Sequence, residues 1–309
     1  MNIRKAKNSD KTEVLNFCKN TFEWGDYIDR VWDSWENDSS GLLLVAKVTD
    51  IDNPEPHPIA ISHISVCPYN LLWVEGIRVN RKYRNQGISS SLLKYMLDFG
   101  IKNGLKEASA IVSLSNIASQ KMLEKQGFYQ LCKIKYYNIE LKKEPKNIYT
   151  LMELKLKFKI PHPKDIVSII DYLCNSKVSR YMNNRYFISW KFYKFENTFS
   201  SLISLITNNK ILLVIDEINK IYGIVIINLL DNKDVFYKKP LVQIGYIDCI
   251  NYYAYVEVIN LLISTYSDKG SYCDIQFFLP DFINLKEYPR IESTDYFEQF
   301  FIYIKNLKT

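Results

Sequence analysis

Two helix-patterned segments, three strand-like runs, a helix and a further strand follow one another along this chain, and the same order then occurs a second time. That repeated order constrains the fold more than any single motif. In the first half, "NSDKTEVLNFCKNTF" sets Val14, Leu15, Cys18 and Phe22 at helical spacing behind a loose capping box of Asp10 and Glu13. "DYIDRVWDSWEND" repeats the pattern with Ile28, Val31, Trp32 and Trp35. "GLLLVAKVTD", "PIAISHISV" and "LLWVEGIRV" read as strands, divided by a Pro-rich loop and a "CPYN" turn. A helix is expected over 90–104, with Leu93, Met96, Leu97 and Ile101 along one face and Asn103-Gly104 ending it. "EASAIVSLS" predicts a strand, "NIASQKMLEKQ" a helix closed by Gly127, and "FYQLCKIKYYNIEL" a long final strand.

The polar, Pro-containing "KKEPKN" (142–147) follows this complete set and marks a domain boundary, giving domains 1–143 and 148–309. Beyond it, "HPKDIVSIIDYLC" and "FENTFSSLISLITNN" read as helices, and "KILLVIDE", "IYGIVIINLL" and "VQIGYIDCI" as strands. "YVEVINLLISTYSDKG" is a helix, "SYCDIQFFLP" a strand and "FEQFFIYIKNL" a last apolar segment. The halves differ greatly in sequence, so the repeat points to an old duplication with one half degraded. An unrelated α/β domain is the competing reading of the second half.

Composition narrows the function classes. At 309 residues the chain is long for one core. Its 47% apolar and 24% charged content is that of a soluble globular protein. A net charge of +6 suits an anionic ligand, but it is too small and dispersed to predict a nucleic-acid partner. The apolar runs "ILLVI" and "GIVIINLL" fall far short of the roughly 20 residues needed to cross a bilayer, and the N-terminus lacks a signal-peptide pattern. A cytoplasmic protein without a membrane partner is expected; a homodimer is compatible with the sequence. The six Cys are scattered, with no C-x-x-C pair and no His at metal spacing, so buried free thiols and no metal site are expected. His63, inside a strand-like run, is assigned a structural role.

The chemistry concentrates at "RVNRKYRNQGIS" (78–89), between a strand and a helix. A helix N-terminus offers unpaired backbone N–H groups and partial positive charge, and a preceding Gly lets a ligand approach the backbone closely. Arg84-Asn85-Gln86-Gly87-Ile88-Ser89 occupies that junction, which makes it an anion-site candidate. It has neither G-K-[ST] nor G-x-G-x-x-G, so it is not a P-loop or a dinucleotide fingerprint. Alone, this loop also reads as an ordinary solvated turn.

The loop resembles the acetyl-CoA loop of the GNAT acetyltransferase superfamily, R/Q-x-x-G-x-G/A after a strand ending in Val. Arg84 and Gly87 match, Ser89 replaces the last Gly or Ala, and Val79 takes the strand-end position. The family's next signature is an Asn opening a helix, small residues and a Gly-Phe; Asn116, Ala118, Ser119, Gly127 and Phe128 stand in that register. The resemblance covers about 1–140, and the second half only by element order. It implies an α/β (α+β) acyl-CoA N-acyltransferase fold, a mixed sheet flanked by helices, followed by a degenerate GNAT-like domain. It also implies that Ile77, Arg78 and Val79 border the pantetheine arm of acetyl-CoA between two splayed strands. Asn85, Gln86, Gly87, Ile88 and Ser89 would cradle the pyrophosphate beside Arg84, with Asn116 and Ser119 near the thioester. The implied reaction is acetyl transfer from acetyl-CoA to a primary amine by direct attack in a ternary complex. The implied acceptor is a small amine or amino acid. A protein N-acetyltransferase and a non-enzymatic acyl-CoA-binding regulatory module are the alternatives.

Glu75 is the candidate base, a carboxylate on an apolar strand with Ile77 and Val79 on the same face by strand alternation. Burial at such a position raises a carboxyl pKa. The family's acidic residue on this strand stands one repeat earlier, where this chain has Trp73. A structural carboxylate paired with Arg78 is the other reading. The family's proton-donating Tyr is replaced by Leu123. Trp24, Asp26 and Tyr27, with Trp32 and Trp35, concentrate aromatic and acidic groups where family members build an acceptor wall. Asp26, more exposed by pattern, would meet an ammonium group, and helix core is the other reading for Trp32 and Trp35. This combination is faintly similar to the histidine N-acetyltransferase-like branch. In the second half, "GYIDCINYYAYVEVINLL" has no Arg-x-x-Gly, and Tyr253 and Tyr255 replace the loop, so no CoA site is expected there.

Overall fold

The computed structural model describes residues 1–22, 25–50, 54–141, 155–195, 198–231, 239–267, 270–284 and 296–307. The chain divides into two compact units: Met1–Gln130 with Ile302–Thr309, and Leu131–Phe301.

Unit 1 contains β1 (Asn2–Lys5), α1 (Lys11–Cys18), α2 (Ile28–Glu36), β2 (Gly41–Val48), β3 (His57–Cys67), β4 (Leu71–Val79), α3 (Ile88–Lys102), β5 (Glu107–Ser113) and α4 (Ile117–Lys125). Its strands run in the order β1-β2-β3-β4-β5. The first four pair antiparallel and β5 joins β4 in parallel, so the sheet is mixed. β1 is short and three of its four residues are polar, which hides it from pattern reading; pairing of Ile3 with Ala46 holds it. Asp10 does not cap α1. Its buried carboxylate accepts from the Lys7 backbone N–H (2.9 Å) and takes two 2.8 Å bonds from the Arg4 guanidinium, which ties β1 to the start of the helical pair. Burial alone would raise the Asp10 pKa, but Arg4 and the Lys7 N–H outweigh it and hold the carboxyl below its ordinary value.

Unit 2 holds β6 (Tyr129–Glu140), β7 (Lys157–Lys159), α5 (Ile166–Asn175), α6 (Lys177–Tyr181), β8 (Arg185–Ile188), β9 (Lys191–Lys194), α7 (Thr198–Thr207), β10 (Ile211–Ile215), β11 (Ile221–Leu230), β12 (Leu241–Cys249), α8 (Tyr252–Ser267), β13 (Asp274–Pro280) and most of β14 (Tyr296–Asn306). Its strand order is β6-β13-β12-β11-β10-β7, with β8 and β9 as a separate hairpin. Ile244, Ile247, Val225, Ile259, Leu262 and Phe277 are among the buried side chains where α8 packs on the sheet. The expected segments are all present; α6, β7 and the β8–β9 hairpin are additions.

The partition differs from the expected boundary. β6, read as the last strand of the first domain, pairs antiparallel with β13 from Ile134↔Pro280 to Glu140↔Asp274. The end of the chain belongs instead to unit 1, where Leu307 donates to the Lys106 carbonyl (2.8 Å) and the Tyr303 hydroxyl donates to Glu124 (2.9 Å). Alternation marks a strand, but its partner depends on distant residues. The proposed linker 142–147 lies outside the described residues. Four cysteines are buried as expected, whereas Cys174 is exposed and Cys273 half-buried.

Candidate active site

The sheet of unit 1 opens at one place. β4 and β5 pair only over Leu71–Trp73 against Glu107–Ser109. Beyond that, Val74–Val79 has no registered partner on the β5 side among the described residues. Unpaired strand edges present N–H and C=O groups to anything extended that enters between them. Ile77 and Val79 lie on this edge.

Next to the opening, α3 begins two residues earlier than its sequence pattern indicates. Asn85 (φ +63°) and Gly87 (φ +76°) both take the left-handed conformation, and Gly87 is the residue that starts α3. A Cβ added at Gly87 would meet nothing within 4 Å, so the approach to this turn is open. The first helical N–H groups, at Ile88 and Ser89, have no partner within their own helix. Arg84 donates from Nε to the Val79 carbonyl (3.1 Å), which folds the loop back on the strand end. Asn116 caps α4, its Oδ1 accepting from the Ser119 N–H (3.1 Å), so that oxygen is engaged in holding the helix. Leu123 is 2% exposed and is a core residue of unit 1.

Glu75 sits on the other face of the same strand segment. Glu75 pairs with His63 and Arg78 with Ile61, so Gly76 and Ile77 together oppose Ser62. This bulge shifts the alternation. Glu75 and Arg78 therefore share the face of His63, whereas Val79 belongs to the opposite face. The expected common face for Glu75, Ile77 and Val79 does not hold, because strict alternation ignores the extra residue. Gly76 has φ +68°, and a Cβ there would lie 2.5 Å from Cη2 of Trp35. The bulge thus needs Gly for its backbone and for the indole of α2 that lies against it.

The Glu75 carboxylate contacts His63 Nδ1 (2.9 Å) and accepts from Ser65 Oγ (3.1 Å). His63 is fully buried and stacks on Trp35, with centroids 4.4 Å apart and planes 4° apart. Its Nε2 lies 3.6 Å from Asp38 Oδ2 and has no hydrogen bond among the described residues. His63 is thereby set between two carboxylates. Sequence reading gave it a generic structural role; its place directly across the strand pair from Glu75 was the available signal.

Asp26 and Arg78 also differ from expectation. The Asp26 side chain is 4% exposed and clasps Arg78 through Nε (2.7 Å) and Nη2 (3.2 Å). The Arg78 guanidinium lies 4.9 Å from the Phe22 ring centroid and 5.2 Å from that of Tyr27. Pattern placed Asp26 in solvent, but a buried counter-ion across 52 residues drew it in. Burial opposes the Arg78 charge, and Tyr27 and Asp26 more than offset this, so its pKa lies above the ordinary value. Desolvation raises the Tyr27 phenol, with Arg78 acting against it and Glu75 and Asp26 acting with it. Trp24 lies outside the described residues.

The fold is shared with known proteins. Residues 10–128 match the sequence profile described as "Acetyltransferase (GNAT) family". No curated protein matches the chain. Among solved structures, a GCN5-related N-acetyltransferase from Sphaerobacter thermophilus superposes with TM-score 0.63 at 14% identity, over 100% of this chain and 96% of that one. The GCN5-related glucosamine N-acetyltransferase region of a fungal multi-domain GH3 β-N-acetylglucosaminidase gives TM-score 0.62 at 10% identity, over 98% of this chain and 38% of that one. A tandem GNAT protein from the clavulanic acid biosynthesis pathway gives TM-score 0.52 at 7% identity, over 100% and 99%. Residues 10–128 thus match the GNAT acetyltransferase family, and the fold of the chain is that of GNAT proteins, a tandem one among them.

Proposed function

We propose that unit 1 transfers an acetyl group from acetyl-CoA to a primary amine on a small molecule or amino acid. The observation that carries this reading is the opening of β4 from β5 beyond Trp73, flanked on one side by the Gly87 turn and on the other by Glu75. In this reading the pantetheine arm lies along Ile77–Val79. The N–H groups of Asn85–Ser89 receive the pyrophosphate, where the partial charge of the α3 N-terminus favours it. The acceptor approaches from the α1–α2 face. Its nitrogen attacks the thioester carbonyl carbon, Glu75 takes the N–H proton directly or through water, and the C–S bond breaks with its electrons going to sulfur. Leu123 has no proton to give, so the thiolate takes one from solvent. In this reading Glu75 and Tyr27 border the acceptor, and Asp26 holds Arg78 against the Tyr27 ring.

A non-enzymatic acyl-CoA-binding role is the second reading, favoured by the apolar Leu123 at the donor position. Thermal shift with acetyl-CoA and thiol release with a panel of amines and peptides separate the two. Glu75→Gln is expected to lower turnover on the order of 100-fold or more with acetyl-CoA affinity nearly intact, whereas Gly87→Trp abolishes that affinity. Unchanged turnover in Glu75→Gln removes Glu75 as the base. Wild-type protein that acetyl-CoA does not stabilise refutes the reading as a whole.

A further inference from the structure

Unit 2 repeats the site architecture of unit 1 with different chemistry. β12 pairs in parallel with β13 only over Leu241–Ile244, and its register against β11 shifts at Gly245. An opening and a glycine bulge therefore recur. No glycine turn precedes α8: the helix begins at Tyr252, and Tyr255 is buried. The face of β12 that looks toward α5 and α6 carries Tyr246 and Asp248. By strand pairing Asp248 lies opposite Ile224, on the face away from Ile244 and Ile247.

Asp248 lines a cleft of about 670 Å³ bounded by α5, α6, the start of α8 and residues 282–284. The residue is 4% exposed. Its Oδ2 accepts from the Tyr246 hydroxyl (3.1 Å) and from Ser176 Oγ, and no donor among the described residues reaches Oδ1. Tyr172, Tyr252 and Phe282 supply aromatic walls. A volume of this size suits a small organic ligand. A buried carboxylate with one oxygen unmatched, ringed by aromatic faces, is complementary to a desolvated ammonium group. Lys177 at the rim lies 4.4 Å from the Phe282 ring centroid, so its charge is held on that ring.

We propose that the cleft of unit 2 is a binding site for a small organic cation, an arylalkyl amine in class, whose ammonium pairs with Asp248 while its apolar body lies among Tyr172, Tyr252 and Phe282. Unit 2 lacks both a Glu75 counterpart at its bulge and the phosphate turn, so it binds the amine without acetylating it.

Calorimetry on the full chain without acetyl-CoA, with phenethylamine and the neutral 2-phenylethanol as probes, tests this. Wild type is expected to bind the amine at least tenfold tighter than the alcohol, and Asp248→Asn is expected to lose that preference. Burial pushes the Asp248 carboxyl up to about 6, so wild-type affinity for the amine should fall as pH drops from 7.5 to 5. That titration stands even if the variant misfolds. Glu75→Gln distinguishes a site in unit 1: binding there would respond to it, whereas binding at Asp248 would not. Equal affinity for amine and alcohol, retained preference in folded Asp248→Asn, or no loss of affinity at pH 5 overturns the proposal.

Discussion

Replacing Gly76 with alanine is the sharpest test of the bulge beside Glu75. The residue sits at φ +68°, where an L-residue costs about 1–2 kcal/mol. The new methyl would also lie 2.5 Å from Cη2 and 2.6 Å from Cζ3 of Trp35, far inside contact distance. Both atoms belong to an indole that is itself 4% exposed and stacked on His63, so it has little room to move. Overpacking of this kind costs about 1–3 kcal/mol, and the combined loss is about 2–5 kcal/mol. Gly87→Ala supplies the control: its φ of +76° carries a similar backbone cost, yet nothing lies within 4 Å of the added methyl. It should cost only about 1–2 kcal/mol. Urea unfolding followed by tryptophan fluorescence measures both, because Trp32, Trp35 and Trp73 are buried in unit 1. Trp35→Leu in the Gly76→Ala background should recover part of the loss, with a coupling of about 1–3 kcal/mol. Equal losses for the two glycine variants, or additivity with Trp35→Leu, would refute the close-approach argument.

His63→Asn should lower kcat while leaving the KM for acetyl-CoA little changed, since the ring touches Glu75 and not the Gly87 turn; its pH profile should also move, which a purely structural role would not cause. Asp10→Asn should cost about 2 kcal/mol at pH 7 through its lost bonds to Arg4. The folded Asp10 pKa lies below 3.8, so this stability is present above that pH and vanishes as pH falls through the lower folded value. Thermal unfolding of both proteins from pH 7 to pH 2 should therefore show the gap between them closing on the acid side.

Much of the local structure was legible in the sequence. Helical spacing in α1, α2 and α3 and β-rich runs in β2 to β4 depend on residues a few positions apart, and those elements stand within a few residues of where periodicity puts them. The left-handed backbone of Asn85 and Gly87 is seen only in the structure, whereas the strand-to-helix junction at Gly87 was legible for the same reason. The face of Glu75 was not, because one extra residue at Gly76 reverses every later side chain and only pairing with β3 reveals it. Nor did any local signal mark His63, which becomes distinctive only when Glu75, Trp35 and Asp38 surround it.

The sequence by itself determined the order of most elements, the glycine junction before α3 and the motifs that resemble the family, all of which rest on short-range sterics and spacing. Only tertiary structure decided that Asp26 is spent on Arg78 and that β6 pairs with β13. It likewise assigned the last residues of the chain to unit 1. Each of these joins groups distant in sequence, where burial of a charge or pairing of a strand edge outweighs what the neighbouring residues prefer.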